Sequence, residues 1–512
     1  MTSNFHSRRT AVTSEDSPSR RTARGLPAIT SAAQFVRRHS ATLTAVSAAV
    51  ILPCFWHRRI EAGDLGSHVY NAWLVQLIQH GQAPGLWIAR QWNNILFDLL
   101  LSSLGGIFGL PTGEKIAVAV AVLILFWGAF ALISAATRRA PWILLPLLAM
   151  ITYGWTFHAG FFNYYLSIGL SFLGVALFWR GHRWERIVAL AMAPLIYLAH
   201  PLGVIWLFGA SAYIQIAEKV TRRYHVILLM ISGLSLVGLH FYLANHFKVS
   251  GVQWPLYLIN GTDQFVLFGH RYMVLYFAVI LFVVFCIAVD VRSRREDLRP
   301  NYGLALQLYI LTEIGIFVLP NVIQFSTWGG PLGYLVERLS LVSVTLLCCL
   351  LGAMRPQKWH AMGFGTIAIV FFTFLYQDTS LLNRMETRVE QLIGTIPPGQ
   401  RVMETIIRDP TWRVKFINHM VDRACIGHCF AYGNYEPSSE QFRVRAHPGN
   451  AIVMNWPEDM GSMEEGDYEV QEADLPAYQI YQCSSNIADL CIRALEADEQ
   501  IDRLGIHPNH AR

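Results

Sequence analysis

Charged residues are scarce in this chain of 512 residues, where Asp, Glu, Lys and Arg together make up 15% against about 25% in an ordinary soluble protein. The sequence contains no zinc-finger spacing, no Walker loop and no G-x-G-x-x-G segment. These absences exclude the common metal-finger modules and argue against a pump driven by nucleotide hydrolysis. Hydrophobic residues, by contrast, make up 53%. Lipid is therefore the expected solvent for much of the chain.

A signal-peptide cleavage site is also missing after the first of the apolar runs, which recur between Ala41 and Tyr376. Each run is long enough to cross about 30 Å of hydrocarbon, so the first run is expected to remain as a helix. Residues 1–40 before it are rich in Arg, Ser and Thr. This composition predicts a disordered, basic N-terminal segment in the cytoplasm.

The positive residues form short clusters between the apolar runs, a pattern that orients membrane helices and gives no support for nucleic-acid binding. If the first helix leaves the cytoplasm, residues 57–114 form an external loop, called the first loop below. Residues 93–110 are apolar enough to cross but are predicted to lie along the outer surface. With that one assumption the later basic clusters all fall in the cytoplasm: Arg138-Arg139 and those within 180–186, 219–223, 292–299 and 355–358.

The pattern predicts an α-helical polytopic membrane domain at 41–376 with about eleven transmembrane helices. The predicted spans cover residues 41–55, 115–136, 142–157, 161–179, 187–200, 202–216, 226–243, 272–291, 304–320, 332–353 and 361–376. Two short spans meet at His200-Pro201, so a single kinked helix over 187–216 is the alternative. The kinked helix would invert every later loop, and the basic clusters argue against it.

Residues 377–512 are polar and are predicted to form a soluble, extracytoplasmic α+β domain. Alternation at 442–445 and the apolar run 451–454 predict strands, and residues 486–497 predict a helix. An even number of cysteines outside the cytoplasm indicates disulfides but leaves their pairing open. The candidates are Cys425, Cys429, Cys483 and Cys491. Zinc held with His428 is the alternative, although structural zinc sites more usually contain two C-x-x-C pairs.

Asp64 carries the clearest chemical signal, because the predicted topology places it in water beside the lipid headgroups. A carboxylate there can accept a proton from an incoming hydroxyl as a general base. The structural alternative is that Asp64 caps the helix that starts near Ser67. The two interpretations are compatible.

A phosphate-binding site at the outer face requires Arg or Lys, which hold phosphate oxygens by charge-assisted hydrogen bonds. The predicted topology offers Arg338, near the outer end of one span, and Arg271 at the start of another. A charged residue within a membrane helix is costly and usually functional. The alternatives are that Arg338 only holds helices together with Glu337 or Glu313, and that Arg271 is an interfacial anchor.

Polar and aromatic residues near the outer helix ends are candidates for a substrate cleft: His68, Tyr70, Asn163 and His200. Converging His and Asp side chains can also bind a divalent cation. The spacing gives no H-x-x-x-H pair on one clear helix face, so a divalent cation is a candidate cofactor without assigned ligands. Capping of helix ends by His and interfacial anchoring by Tyr are the structural alternatives.

The order of these features resembles the GT-C superfamily of membrane glycosyltransferases, which includes the undecaprenyl-phosphate aminoarabinose transferases and the protein O-mannosyltransferases. The resemblance rests on Gly63-Asp64 at the acidic position of the first loop, two surface helices near 68–80 and 95–110, and a returning span at 115–136. Many members carry Asp-Glu where this chain has Asp64-Leu65. That departure bears on a metal-binding role more than on a role as base.

The resemblance implies sugar transfer from a polyprenyl-phosphate donor to a glycan, lipid or protein acceptor at the extracytoplasmic face. By the same resemblance Asp64 is the base, Arg338 and Arg271 bind the donor phosphate, and the sugar carbon is inverted. The expected location is the inner (plasma) membrane of a bacterium, with a cytoplasmic N-terminus. The alternatives are a transporter or flippase, for which a matching pair of broken helices is missing, and a noncatalytic envelope assembly protein.

Overall fold

The computed structural model describes residues 28–293, 303–325, 331–355 and 357–501. Helices dominate, as expected of apolar runs that must satisfy their backbone hydrogen bonds within the segment. The α-helices are α1 (Ala28–Ile51), α2 (Leu65–Gln79), α3 (Leu96–Phe108), α4 (Leu110–Thr137), α5 (Leu145–Thr152), α6 (Trp155–His158), α7 (Phe162–Arg180), α8 (Arg183–Ala191), α9 (Ala193–Ala199), α10 (Pro201–Lys219), α11 (His225–His246), α12 (Pro255–Leu258), α13 (Arg271–Ser293), α14 (Gly303–Val318), α15 (Leu335–Ala353), α16 (Lys358–Ile393), α17 (Met420–Ala424) and α18 (Pro457–Glu465).

Six helical segments in the described residues are long and apolar enough to cross a membrane. They are Leu110–Thr137, Phe162–Arg180, Arg222–His246, Arg271–Arg292, Leu335–Ala353 and Lys358–Ile393. The other predicted spans fall on shorter or less apolar helices, so the number of about eleven stays a prediction. The predicted basic segment 292–299 lies largely outside the described residues.

The chain reverses at His200-Pro201. Pro201 opens α10, and the extended backbone of His200 separates it from α9. Arg186, at the start of α8, contacts Glu218 at the end of α10 at 2.8 Å and donates to Gln215 at 3.1 Å. The first helical turn therefore lies beside the last, so the two predicted short segments form an antiparallel pair and the single kinked helix is excluded.

Small residues allow α4 and α7 to cross closely at the centre of the bundle. A Cβ atom at Gly128 would lie 2.3 Å from the carbonyl oxygen of Gly169. Helices in lipid gain most of their association energy from such close packing, because lipid tails are as apolar as the side chains. The α4–α7 pair is accordingly the rigid centre on which the first loop rests.

The C-terminal lobe, residues 394–501, contains a four-stranded sheet in which the strand order is β6 (Phe430–Ala431), β5 (Arg401–Glu404), β8 (Ala477–Gln482) and β9 (Leu490–Ala494). The strands are β1 (Leu86–Ile88), β2 (Lys248–Ser250), β3 (Val322–Gln324), β4 (Pro331–Leu332), β5 (Arg401–Glu404), β6 (Phe430–Ala431), β7 (Val444–Ala446), β8 (Ala477–Gln482) and β9 (Leu490–Ala494). β5 pairs in parallel with β6 and β8, and β9 pairs antiparallel with β8. Strand β1 of the first loop pairs antiparallel with β7, so the lobe and the loop share a sheet.

Both predicted disulfides are confirmed, and the pairing is local. Cys425 is bonded to Cys429, and Cys483 to Cys491. The first bridge closes the turn between α17 and β6, and the second joins the end of β8 to β9. No thiolate of the C-terminal lobe is therefore left for the alternative zinc site.

A buried ionic network joins the C-terminal lobe to the bundle. Arg423 of α17 donates to Glu114 at 2.8 Å and to both oxygens of Glu386 at 2.8 and 2.5 Å. It also lies 3.3 Å from Glu61, and Arg59 lies 3.3 Å from Glu386. Burial raises the pKa of Glu61 to about 8, with the Glu386 charge adding to the rise and both guanidiniums opposing it.

Two predicted boundaries are corrected by the structure. The N-terminal segment was expected to be disordered to residue 40, but α1 begins at Ala28 because Phe35 packs on Phe130 and Trp142; residues 1–27 lie outside the described residues. The bundle was expected to end at Tyr376, but α16 continues to Ile393. The continuation is held by buried side chains that face the C-terminal lobe and the first loop.

Two predicted elements of the C-terminal lobe are also wrong. Residues 486–497 contain strand β9, because Leu490 to Ala494 complete the sheet against β8. Residues 451–454 form no strand. Their backbone instead turns around Asn450, whose side chain accepts hydrogen bonds from the Ile452 and Val453 amides, and the buried apolar side chains fill the lobe interior.

Candidate functional site

Asp64 lies where two loops approach each other unusually closely. A Cβ atom at Gly160, whose φ is +85°, would lie 2.3 Å from the Asp64 amide nitrogen, and one at Gly63 would lie 3.0 Å from the Ala159 carbonyl oxygen. The Gly63 and Asp64 amides donate to the carbonyls of His158 and Ala159 at 2.7 and 3.3 Å. The two glycines thus fix the position of the Asp64 backbone against the bundle.

The Asp64 side chain does not cap α2, although the sequence allowed that role. Asp64 is the N-cap residue of α2, yet its carboxylate makes no capping hydrogen bond. The side chain is 32% exposed. A partly exposed carboxylate at a fixed backbone position is available to a ligand.

His419 of the C-terminal lobe lies beside this carboxylate. Its Nε2 is 3.8 Å from Asp64 Oδ1, and its Nδ1 is 3.0 Å from Asp422 Oδ2. Burial opposes a charge on the imidazole, but Asp422, Asp64 and Glu404 outweigh it and raise the pKa of His419 to about 10. His419 is therefore an imidazolium at neutral pH.

His68 lies one turn along α2 and is held by Asp98 of α3. Its Nδ1 is 2.7 Å from Asp98 Oδ1, and the other Asp98 oxygen accepts from Asn163 at 2.8 Å. Burial disfavours the charged imidazole, but Asp98, Glu436 and Asp64 raise the pKa of His68 to about 9. Asn163 also accepts from the Phe97 amide at 2.8 Å, so two of the predicted cleft residues brace α2, α3 and α7 against one another.

Polar residues of the C-terminal lobe also contact α2. Glu436 accepts from Ser67 at 2.9 Å, and the Asn434 side chain donates to Asn71 at 3.1 Å. Burial raises the pKa of Glu436 to about 7, with the neighbouring His68 charge opposing the rise. The lobe is therefore bound to the predicted catalytic helix by specific polar contacts.

Arg338 sits at the start of α15 with its guanidinium over an aromatic ring. Its centre lies 4.3 Å from the Phe161 ring centroid and 5.6 Å from that of Tyr164, and its Nη1 is 3.4 Å from His200 Nε2. Arg338 Nε is buried and has no hydrogen-bond partner among the described residues. A guanidinium held by stacking and left with an unused donor suits an anionic ligand.

Phe161 links the Asp64 backbone to Arg338. Phe161 follows Gly160, which packs against the Asp64 main chain, and the Arg338 guanidinium is stacked on its ring at 4.3 Å. The Tyr334 ring centroid lies 5.3 Å from that of the same Phe161 ring. The predicted base and the predicted phosphate ligand therefore share a single site.

Two predicted site residues have other partners. Tyr70 is fully buried, and its hydroxyl accepts from the Ala431 amide at 3.0 Å, so it packs the C-terminal lobe onto α2. Arg271 forms an ion pair with Asp378 and lies 4.8 Å from the Phe374 ring centroid, so it binds α16. Neither contact belongs to the site around Asp64.

Sequence analysis missed the residues that come from the C-terminal lobe, above all His419, Asp422 and Glu436. No motif marks them, and His419 lies more than 350 positions from Asp64 in the sequence. In the part of the chain that the structure describes, no three His, Cys, Asp or Glu side chains are arranged to hold a metal ion.

Comparison with known proteins gives no further guide to this site. No family model, no curated protein and no solved structure matches the chain.

Proposed function

We propose that this protein is a membrane glycosyltransferase that moves a sugar from a polyprenyl phosphate to an acceptor at the extracytoplasmic face. The observation that carries the proposal is the shared site of Asp64 and Arg338 at one end of an apolar helix bundle. The carboxylate is partly exposed and uncapped. The guanidinium is stacked on Phe161, and its Nε has no hydrogen-bond partner among the described residues. A general base beside a residue that binds phosphate is the minimum that such a transfer requires.

In the proposed reaction the acceptor hydroxyl attacks the anomeric carbon of the donor sugar. Asp64 accepts the hydroxyl proton as the new carbon–oxygen bond forms. The bond from the anomeric carbon to the phosphate oxygen breaks, and Arg338 stabilises the negative charge on the departing polyprenyl phosphate. Direct attack with a single base inverts the configuration of the sugar carbon.

The proposal includes the arrangement in the membrane. About eleven transmembrane helices would place the first loop and the C-terminal lobe outside the cytoplasm of a bacterial cell, at the inner membrane. Both disulfides support this orientation, because such bonds persist in oxidising compartments. The acceptor is a glycan, lipid or protein that reaches the site from the aqueous side.

The test is sugar transfer by membranes that contain wild type, Asp64→Asn or Arg338→Ala, with a panel of labelled polyprenyl-phosphate sugars and equal protein levels. The matched controls are Asp498→Asn and Arg90→Ala, both at exposed positions. Wild-type transfer that is lost in the two site variants and kept in the controls supports the proposal. Transfer that persists in Asp64→Asn contradicts the role of the base. No wild-type transfer with any donor favours a transporter, a flippase or an assembly protein.

A further inference from the structure

We infer that His419 of the C-terminal lobe is the charged positioning residue for Asp64, so that the lobe completes the catalytic centre. The inference rests on the proposed function. It follows from a line of three side chains in which Asp422 holds His419 and His419 faces Asp64, at 3.0 and 3.8 Å. His419 and Asp422 are almost completely buried, whereas Asp64 is the member that reaches solvent. Asp422 is therefore the buried end of this line of side chains, and Asp64 is its solvent-exposed end.

The groups around His419 favour a positive charge on its ring. Asp64, Asp422 and Glu404 all act on it, and its charge in turn acts on Glu436. The Tyr435 ring centroid lies 5.7 Å from its own. Because the ring already carries both protons, His419 holds Asp64 as an ion partner and does not accept the proton that Asp64 takes from the acceptor.

The backbone is shaped to allow this approach. A Cβ atom at Gly66 would lie 2.2 Å from the carbonyl oxygen of His419, a collision with main-chain atoms. Only glycine lets the first turn of α2 lie this close to the C-terminal lobe. The same turn is tied to the lobe by the Ser67 hydrogen bond to Glu436.

The first experiment compares pH profiles of sugar transfer for wild type and His419→Gln, with His447→Gln, an exposed histidine of the same lobe, as control. Loss of the cation is expected to move the acid limb of the profile upward, because a nearby positive charge favours the ionised carboxylate. We expect kcat to fall about tenfold or more with the donor KM unchanged. An unchanged acid limb and kcat in His419→Gln would overturn the inference.

Gly66→Ala tests the same contact with both side chains intact. It should displace His419 and reproduce the His419→Gln profile, whereas Gly106→Ala, where an added Cβ meets nothing within 4 Å, should behave as wild type. Chelation that abolishes wild-type transfer, together with metal that is lost in His419→Gln, would assign His419 as a metal ligand and would also overturn the inference.

A readout that needs no activity separates this inference from the proposed function. In protein labelled with ¹⁵N-histidine, the NMR titration midpoint of His419 should fall by about one pH unit in Asp64→Asn, with the signal assigned through His419→Gln. An identical midpoint in wild type and Asp64→Asn would refute the pairing. Wild-type protein without transfer activity but with the shifted midpoint would refute the glycosyltransferase proposal and leave the pairing established.

Discussion

Replacing Arg423 by Met tests whether the buried ionic network holds the C-terminal lobe on the bundle. The guanidinium is almost completely buried and contacts Glu61, Glu114 and Glu386. Met is similar in length but uncharged, so three buried carboxylates would be left near Arg59. Breaking a buried ion pair by removing one partner costs about 3–5 kcal/mol, which for a chain of this size lowers Tm on the order of 3–5 °C.

The loss of stability in Arg423→Met should increase with pH. The folded-state pKa of Glu61 is already raised to about 8, above the value of about 4.3 expected when it is unfolded. An acid with a raised folded pKa contributes stability below the unfolded pKa and loses it as pH rises through the folded one. Without Arg423 the folded-state pKa of Glu61 rises further, so the deficit should be smaller at pH 5 and should increase as pH rises through about 8.

The assay is thermal unfolding of detergent-solubilised protein, followed by loss of the monodisperse peak in size-exclusion chromatography at pH 5 and pH 8. Arg384→Met, an exposed arginine on α16, is the matched control. The double variant with Glu386→Gln should recover part of the loss, because one unpaired carboxylate is removed with the cation. Equal Tm values for Arg423→Met and Arg384→Met at pH 8 would refute the reasoning.

Three further predictions follow from contacts described by the structure. Arg413→Gln removes a guanidinium 2.8 Å from Asp263, whose pKa burial raises to about 6; the Tm deficit should be small at pH 4 and larger above pH 6, and a deficit independent of pH would contradict the assignment. Cys425→Ser opens a short disulfide loop and should lower the free energy of unfolding by about 2 kcal/mol. Reductant should lower the stability of the wild type by a similar amount, and equal Tm values for wild type and Cys425→Ser would contradict the prediction. Gly160→Ala places a Cβ 2.3 Å from the Asp64 amide nitrogen and should reduce transfer at least about tenfold with helical circular dichroism retained; full transfer would contradict the close approach.

The sequence predicts those parts of the fold that hydropathy and the basic clusters indicate. The two helices predicted in the first loop fall close to their predicted positions, with α2 over Leu65–Gln79 and α3 over Leu96–Phe108. The reversal at Pro201 was predicted because a single kinked helix would have placed the later basic clusters outside the cytoplasm. The same clusters give the predicted direction of each helix, which stays a prediction.

The extension of α16 could not be predicted by the same rules. Its last turns bury Leu382, Met385 and Val389 at helical spacing, but polar residues between them lower the mean hydropathy. These three apolar residues can be recognised as the buried face of a helix only when the C-terminal lobe and the first loop are known to cover them.

The candidate site was half predictable. Asp64 and Arg338 were found from their positions at predicted outer helix ends, where charge is costly unless it is used. His419 was missed because its role arises from a contact between distant parts of the chain. Periodicity and local motifs carry no information about such a contact.

The unbroken run of α16 determines how the C-terminal lobe reaches the site. Its 36 residues measure about 54 Å, so about 24 Å extends beyond a hydrocarbon layer of about 30 Å. If a flexible linker joined the lobe to the bundle, His419 would be present near Asp64 only at an effective concentration in the millimolar range. A continuous helix, together with the ionic network around Arg423, instead holds the lobe in one position relative to the bundle. The lobe therefore belongs to the bundle as a fixed wall of the site, and the entropy of bringing His419 to Asp64 is lost once, during folding.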